Sequence, residues 1–108
     1  MVKTRQEIGL IIEKYRASLA ALGIHPARVY LFGSYARDTA RDDSDIDLIV
    51  VSDDFATMNL RERLEILGVA AIRIMQPIQA LGYTRAEIDA DDKSAFMKEA
   101  LAHAREAA

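Results

Sequence analysis

The sequence predicts an α+β fold in which a small mixed β-sheet is flanked by helices. Three observations lead to this prediction: apolar residues recur at helical spacing in several segments, three short apolar runs have the composition of strands, and the two kinds of segment alternate along the chain. The 108 residues are 51% hydrophobic and 29% charged, which is typical of a folded domain with one core. We therefore expect residues 1–108 to form a single domain.

The first predicted helix runs from about Arg5 to Leu22. Thr4 and Glu7 form a capping-box pattern at its start, and Gly23 is the expected C-cap. The apolar residues that recur at helical spacing are Ile8, Ile11, Ile12, Tyr15, Leu19 and Leu22.

Three strands are predicted. The first, Arg28–Phe32, leads into a brief helical turn that ends at Arg37, and a polar loop then extends to Ser44. The second, Asp45–Val51, becomes a continuous apolar run, which is typical of a strand covered on both faces by helices. The third, Ile78–Tyr83, is a weaker strand pattern because Gln79 and Gly82 interrupt its apolar residues.

The second half of the chain contains three predicted helices. Asn59 is the expected N-cap of the first, and Pro77 marks its end. Its predicted core face consists of Leu60, Leu64, Leu67, Ala71 and Ile74. Thr84 and Glu87 form a second capping-box pattern, which opens a short helix, and Asp92 is the expected N-cap of the last helix. The apolar side of that last helix consists of Phe96, Met97, Ala100 and Leu101.

The composition argues against several classes of protein. No apolar run reaches the roughly 20 residues that a membrane-spanning helix needs, and the N-terminus lacks the apolar stretch of a signal peptide. The net charge of -3 argues against a protein that holds long nucleic acid on a basic surface. The chain has no cysteine, which is compatible with a reducing compartment. We therefore expect a cytoplasmic protein that binds neither membranes nor long nucleic acid.

The negative charge is concentrated between Arg37 and Asp54, where seven Asp and two Arg give a net charge of -5. Within this stretch, Asp45 and Asp47 lie two residues apart in a predicted strand, so their side chains should share one face of the sheet. Two adjacent carboxylates suit Mg²⁺, which keeps some waters and takes further ligands from substrate phosphates. Asp45 and Asp47 are therefore the predicted metal ligands and catalytic residues.

Gly33 and Ser34 lie where the first strand turns into the short helical segment. Backbone N–H groups at such a turn can meet a phosphate, glycine allows close approach, and serine adds a hydroxyl group. Combined with two carboxylates that hold a metal ion, this turn is suited to the transfer of a nucleotidyl or phosphoryl group.

Residues 33–48, which read G-S-Y-A-R-D-T-A-R-D-D-S-D-I-D-L, resemble the signature of the nucleotidyltransferase superfamily that includes DNA polymerase β. The resemblance is greatest to its small prokaryotic branch, the minimal nucleotidyltransferases (MNT), whose pattern is Gly-Ser, ten residues and Asp-x-Asp. It implies a nucleotidyltransferase fold. It also implies that Gly33 and Ser34 contact a nucleoside triphosphate such as ATP, and that Asp45 and Asp47 bind catalytic Mg²⁺ ions.

Two residues depart from the pattern of that branch. Asp38 stands where relatives usually carry glycine. The third metal-binding carboxylate of active members lies on the next strand, often in P-V-D-V-x-x-Y-T, and residues 77–84 here read P-I-Q-A-L-G-Y-T. Gln79 therefore takes the third carboxylate position, where it can offer a carbonyl oxygen but neither a full charge nor a base.

The remaining polar and aromatic candidates are weaker. Arg37 is a candidate ligand of the triphosphate, whereas Arg41 is expected to balance the charge of the acidic loop. His25 and His103 lack partners at metal-ligand spacing and are expected to be structural or at the surface. Tyr35, beside the phosphate turn, is expected to pack in the core rather than stack on a base.

The resemblance also implies a partner. MNT proteins are commonly paired with a small helical HEPN protein, and act as antitoxins by transferring AMP from ATP to a tyrosine of the HEPN ribonuclease toxin. The first hypothesis is therefore a Mg²⁺-dependent nucleotidyltransferase that acts on a HEPN-type partner. The second is a catalytically weakened MNT domain that neutralises such a partner by binding, and Gln79 distinguishes the two. A third is nucleotidylation of an antibiotic without a protein partner, and either a homo-oligomer or a hetero-oligomer is compatible with the sequence.

Overall fold

The computed structural model describes residues 2–90 and 93–107. The helices are α1 (Arg5–Ala21), α2 (Gly33–Ala36), α3 (Leu60–Arg73), α4 (Arg85–Asp89) and α5 (Ala95–Ala102), and a 3₁₀ helix spans Asp53–Phe55. The strands are β1 (Arg28–Phe32), β2 (Ile46–Val51), β3 (Ile78–Tyr83) and β4 (Arg105–Glu106). They form a mixed sheet in the order β3-β2-β1-β4, in which β1 is antiparallel to β2 and β4, and β2 is parallel to β3. None of the described helices combines the length and the apolar character needed to span a membrane.

Helices cover both faces of the sheet. On one face, α1 and α3 pack over a core cluster that includes Ile46, Leu48 and Val50 of β2. On the other face, α4 and α5 pack against Ile49 and Val51 of the same strand. The apolar run of β2 is therefore buried on both sides, as predicted, and the α+β class with a small mixed sheet flanked by helices is confirmed.

Most predicted elements are present with their predicted bounds. β1 and β3 agree to the residue, α1 ends one residue early at Ala21, and β2 begins one residue late at Ile46. Capping boxes occur at Thr4, Asn59 and Thr84, and each of these side chains accepts a hydrogen bond from the backbone N–H three residues later. The starts of α1, α3 and α4 are thus determined by local hydrogen bonds that the sequence pattern already contains.

Two short elements were not predicted, the 3₁₀ helix and β4. β4 contains only Arg105 and Glu106, which is too short for a periodic pattern, and it exists because it pairs with β1. The predicted N-cap Asp92 lies outside the described residues. At the start of α5, Ser94 accepts a hydrogen bond from the N–H of Met97 and caps the helix.

The predicted core face of α3 is partly wrong. Leu60 is 67% exposed and Leu64 is 44% exposed, whereas Arg63 is only 9% exposed. The buried residues of α3 are Arg63, Leu67, Ala70 and Ala71. The helix is rotated from the predicted orientation because Arg63 reaches inward to the backbone carbonyls of Phe55 and Gly82, which lie outside α3.

Candidate functional site

Asp47 lies on β2 between two neighbouring strands of the sheet. Its Cα is paired with that of Phe32 at the end of β1 and with that of Gln79 near the start of β3. Ile46 and Leu48, on either side of it in sequence, are fully buried beneath α1 and α3. Because side chains alternate along a strand, those of Phe32, Asp47 and Gln79 share the opposite face. This face is the candidate site.

Gly33 packs directly against Asp47. Its φ of 69° lies in the left-handed region that favours glycine. A Cβ atom at this position would overlap Oδ2 of Asp47 and come 2.9 Å from its Cγ. Both the backbone conformation and the close contact therefore require glycine at this position. The contact also brings the first and last parts of the sequence motif together, although they are 14 positions apart.

The two predicted metal ligands lie next to each other without a counter-charge. Asp45 is exposed immediately before β2, and Asp47 is half-buried. Partial burial, and after it the negative charge of Asp45, raises the pKa of the Asp47 carboxyl above its ordinary value. Across residues 2–90 and 93–107, neither carboxylate makes a hydrogen bond or an ion pair. Such a pair favours a bound cation.

The oxygen atoms of this face fit a divalent cation such as Mg²⁺. Asp45 and Asp47 offer two carboxylates, and the exposed Gln79 can offer an amide oxygen. Within the described part of the chain, no three acidic or histidine side chains are grouped in a way that could hold a metal ion. Glu87 does not fill this role, because it is bound by Arg63 with an Nη1–Oε1 distance of 2.6 Å. The remaining ligands of a cation would be water and phosphate oxygens.

Ser34 and Arg37 lie on α2 and immediately after it. The Ser34 hydroxyl makes no hydrogen bond to any residue described here, so it is available to a phosphate. Arg37 is exposed, and its Nη2 lies 3.2 Å from Oε1 of Glu99 on α5. Exposed ion pairs of this kind are weak and can be exchanged for a phosphate. Both residues stay predicted nucleotide ligands.

The C-terminal helix α5 lies beside this face, which sequence reasoning missed. Phe96 was expected on the apolar side of the helix but is 57% exposed, and its ring meets Phe32 edge-on with the ring centroids 6.3 Å apart. Glu99 pairs with Arg37, 62 positions earlier in the chain. No local pattern contains contacts over such a separation, so no sequence signal was available for them.

Behind α2, the opposite face of the sheet has a cavity of about 350 Å³. Its lining includes Ile8, Ile12, Leu31, Tyr35 and Arg105. Tyr35 is only 6% exposed and belongs to the core cluster beneath α1, which confirms its predicted packing role. The cavity is separated from Asp47 by the sheet, so the candidate site is the open surface on the other side.

Comparison with known proteins finds a family match over most of the chain. The nucleotidyltransferase domain family matches residues 12–103, a range that includes Gly33, Asp45, Asp47 and Gln79. No curated protein sequence matches the chain significantly.

Two solved structures share the fold. A candidate nucleotidyltransferase from Sulfolobus solfataricus is 24% identical and superposes with a TM-score of 0.61, over 83% of this chain and 79% of its own. A toxin–antitoxin structure with AMP-PNP is 22% identical and also superposes with a TM-score of 0.61, over 93% of this chain and 72% of its own. Because the family match covers most of the chain and the fold agrees, this chain belongs to the nucleotidyltransferase domain family.

Proposed function

We propose that this chain transfers AMP, or another nucleoside monophosphate, from a nucleoside triphosphate to a hydroxyl group of a partner protein. The observation that carries the proposal is the contact between Gly33 and Asp47, which joins the predicted phosphate turn to a predicted metal ligand. Membership of the family supports nucleotidyl transfer as the reaction class. The toxin–antitoxin relative with AMP-PNP supports an adenine nucleotide and a partner protein.

Mg²⁺ is the proposed cofactor, and Asp45 and Asp47 are the residues that would hold it. When bound, it neutralises negative charge on the phosphates and acts as a Lewis acid. The raised pKa of the Asp47 carboxyl supports this assignment, because partial burial and the neighbouring Asp45 both act on it without a compensating positive charge. Gln79 adds a neutral oxygen ligand at most.

The side chains and backbone of the protein contribute positioning. Gly33 and Ser34 bind triphosphate oxygens, and Arg37 exchanges Glu99 for a phosphate. The acceptor oxygen then forms a bond to the α-phosphorus, the bond from that phosphorus to its bridging oxygen breaks, and pyrophosphate leaves. Gln79 cannot accept the hydroxyl proton, so the proton passes to water or to a basic group of the partner.

The proposed partner is a small helical protein of the HEPN type, and the chain is the proposed antitoxin of the pair. Two observations support this part of the proposal: the resemblance of residues 33–48 to the MNT signature, and the toxin–antitoxin relative. The acceptor is then a tyrosine hydroxyl of the partner.

Incubation with α-labelled ATP, Mg²⁺ and the product of the neighbouring gene tests the proposal, which requires that product to be a small helical protein of the HEPN type. The partner should gain label and the mass of one AMP. The variant Asp47→Asn should lose the transfer, whereas Asp43→Asn, which removes an exposed charge from the same acidic stretch, should retain it. Transfer that persists after Asp45→Ala and Asp47→Ala are combined would contradict the assigned metal ligands.

A second function is favoured by one observation, the pairing of Gln79 with Asp47 at the position of a third carboxylate. In this alternative, the chain is a weakened nucleotidyltransferase that neutralises its partner by binding alone. The variant Gln79→Asp places a carboxylate beside Asp47 and separates the two functions. Transfer by the natural chain supports the enzyme. Tight binding without transfer, together with transfer by Gln79→Asp, supports the binding module.

A further inference from the structure

We propose that Phe96, on α5, is the platform on which the base of the bound nucleoside triphosphate stacks. This inference rests on the function proposed above and assigns the part of the site that holds the base. Phe96 is 57% exposed, whereas the other phenylalanine and tyrosine side chains, all of which the structure describes, are buried or half-buried. An aromatic ring left open beside a nucleotide site offers a flat apolar surface to a base.

The packing of α5 on the sheet does not account for the position of Phe96. The helix is anchored by Met97 and Ala100, which are buried in the cluster that contains Ile49 of β2. Phe96 turns outward from this cluster and meets its rim at Phe32. A ligand that covers the free surface of the ring would therefore gain binding energy from the burial of apolar area.

Phe32 connects this ring to the phosphate turn. The centroids of the Phe32 and Phe96 rings are 6.3 Å apart, and the ring planes are nearly perpendicular, at 84°. Phe32 directly precedes Gly33, and its Cα is paired with that of Asp47. In an edge-to-face pair, one ring covers at most one face of the other, so at least one face of Phe96 stays free of Phe32. Phe96 therefore stands on the same side of the sheet as Asp47, with a face available for stacking.

The proposed phosphate ligand Arg37 is held one helical turn further along α5. Glu99 follows Phe96 by three residues and lies on the same side of the helix, and its Oε1 is 3.2 Å from Nη2 of Arg37. Three residues correspond to about 4.5 Å along a helix axis. In a nucleoside triphosphate, one ribose separates the base from the phosphates. Phosphates bound at Arg37 and Gly33 therefore bring the base to the region of Phe96.

Tyr35, the aromatic residue that follows the phosphate turn in sequence, cannot take this role. It is buried in the core cluster beneath α1, on the opposite face of the sheet from Asp47. Of Tyr35 and Phe96, only Phe96 presents a ring to a ligand on the face of Asp47. A phenyl ring offers no hydrogen bond, so this contact favours a nucleobase without distinguishing adenine from guanine.

A single introduced tryptophan tests the contact, because the natural chain has none. In Phe96→Trp, Mg²⁺ with a non-hydrolysable ATP analogue should quench the fluorescence, because the base stacks on the indole ring. Mg²⁺ with tripolyphosphate, which carries the same phosphates without a base, should leave the fluorescence unchanged. The matched control Leu10→Trp, at a 54% exposed position of α1, should respond to neither ligand. Equal quenching of the two variants by the analogue, or none in either, overturns the proposal.

Calorimetric titration separates the platform from the proposed function. Phe96→Ala should weaken the binding of the ATP analogue by about tenfold and leave the binding of tripolyphosphate unchanged. Phe96→Tyr, which keeps the ring, and the control Leu10→Ala should bind both ligands like the natural chain. If Phe96→Ala binds the analogue with unchanged affinity, even where the KM for the partner protein rises, the platform is overturned and the proposed function is unaffected. If the natural chain binds no nucleotide, both are overturned.

Discussion

Arg63 connects four segments of the chain through one side chain. Its guanidinium donates hydrogen bonds to the backbone carbonyls of Met58, Phe55 and Gly82, at 3.0, 2.9 and 3.2 Å. It also binds Glu87 at 2.6 Å, and this hydrogen bond holds the pKa of the Glu87 carboxyl below its ordinary value. Loss of Arg63 would therefore leave several acceptors without a donor in the interior.

We expect the substitution Arg63→Met to lower the free energy of unfolding by about 3 kcal/mol, because the carbonyls it satisfies would become unpaired. The matched control is Arg61→Met on the same helix, because the Arg61 side chain is 87% exposed and its one ion pair with a described residue is to Glu65. That exposed pair should contribute less than about 0.5 kcal/mol. Urea denaturation of both variants checks the prediction, and equal losses would contradict it.

Asp38 has a left-handed backbone conformation and a negative charge beside the proposed phosphate turn, and glycine at this position would avoid both costs. Its φ is 58°, in the left-handed region, which gives a physical reason for the glycine usual at this position in the MNT pattern. We expect Asp38→Gly to raise the free energy of unfolding by roughly 1 kcal/mol. It should also tighten ATP binding, because it removes a negative charge near the proposed phosphate turn.

The variant Asp38→Ala separates these two effects. It removes the charge but keeps a Cβ atom, so it should tighten ATP binding without the gain in stability. Thermal unfolding and calorimetric titration with ATP measure the two quantities independently. An equal gain in stability for Asp38→Ala would show that charge, and not backbone conformation, is the cause.

At the scale of elements, α1 and α3 end in the same way with different residues. Just after each helix, one residue has a positive φ: Gly23 after α1 and Met75 after α3. The next residue donates its N–H to the carbonyl five positions earlier, from Ile24 to Leu19 at 2.9 Å and from Gln76 to Ala71 at 3.3 Å. Gly23 has a φ of 91° and Met75 a φ of 55°. The conformation favours glycine, so α3 ends with a strained residue that α1 avoids.

We expect Met75→Gly to raise the free energy of unfolding by roughly 1 kcal/mol. Met75 is 88% exposed, so the substitution removes strain without the loss of a core contact. Gly23→Ala is the reverse experiment and should be destabilising by a similar amount. Urea denaturation at low protein concentration measures the free energy of unfolding of both variants. A loss of stability in Met75→Gly would show that the backbone at Met75 is not strained.

The elements that could be predicted are those whose signals are local. The capping boxes and the apolar runs of β1 and β2 lie within a few residues, and they are confirmed. The orientation of α3 could not be predicted, because the spacing of Leu60 and Leu64 looks like a core face, while the partner carbonyl of Arg63 at Gly82 lies 19 positions away. β4 could not be predicted either, since its two residues become a strand only by pairing with β1.

At the scale of the whole molecule, the sheet separates the larger core cluster, beneath α1 and α3, from the candidate site. Gly33, Asp45 and Asp47 could be proposed as site residues because they lie in one short segment, and the contact between Gly33 and Asp47 agrees with that motif. The position of α5 could not be identified, because its contacts with this region join distant parts of the chain, such as Arg37 and Glu99. The proximity of Gly33 and Asp47 could therefore be predicted, whereas the surroundings of the candidate site depend on tertiary packing.

This arrangement predicts a competition between stability and ligand binding at Asp47. Its raised pKa means that the folded chain holds the proton more tightly than the unfolded chain does. The free energy of unfolding therefore falls as the pH rises from the ordinary pKa of 3.8 through the raised value in the folded chain, and the loss is complete above it. Without ligands at neutral pH, Asp47→Asn should unfold at a higher temperature than the natural chain.

Mg²⁺ with a non-hydrolysable ATP analogue should reverse this order. A ligand that binds only the folded state stabilises it by about 2.7 kcal/mol at a concentration of about 100 times its dissociation constant. The natural chain should show this rise in unfolding temperature, and so should Asp43→Asn, which removes an exposed carboxylate from the same stretch. Asp47→Asn should show little rise, because it lacks one of the two proposed carboxylate ligands. Equal rises in Asp47→Asn and the natural chain would show that Asp47 does not hold the metal ion.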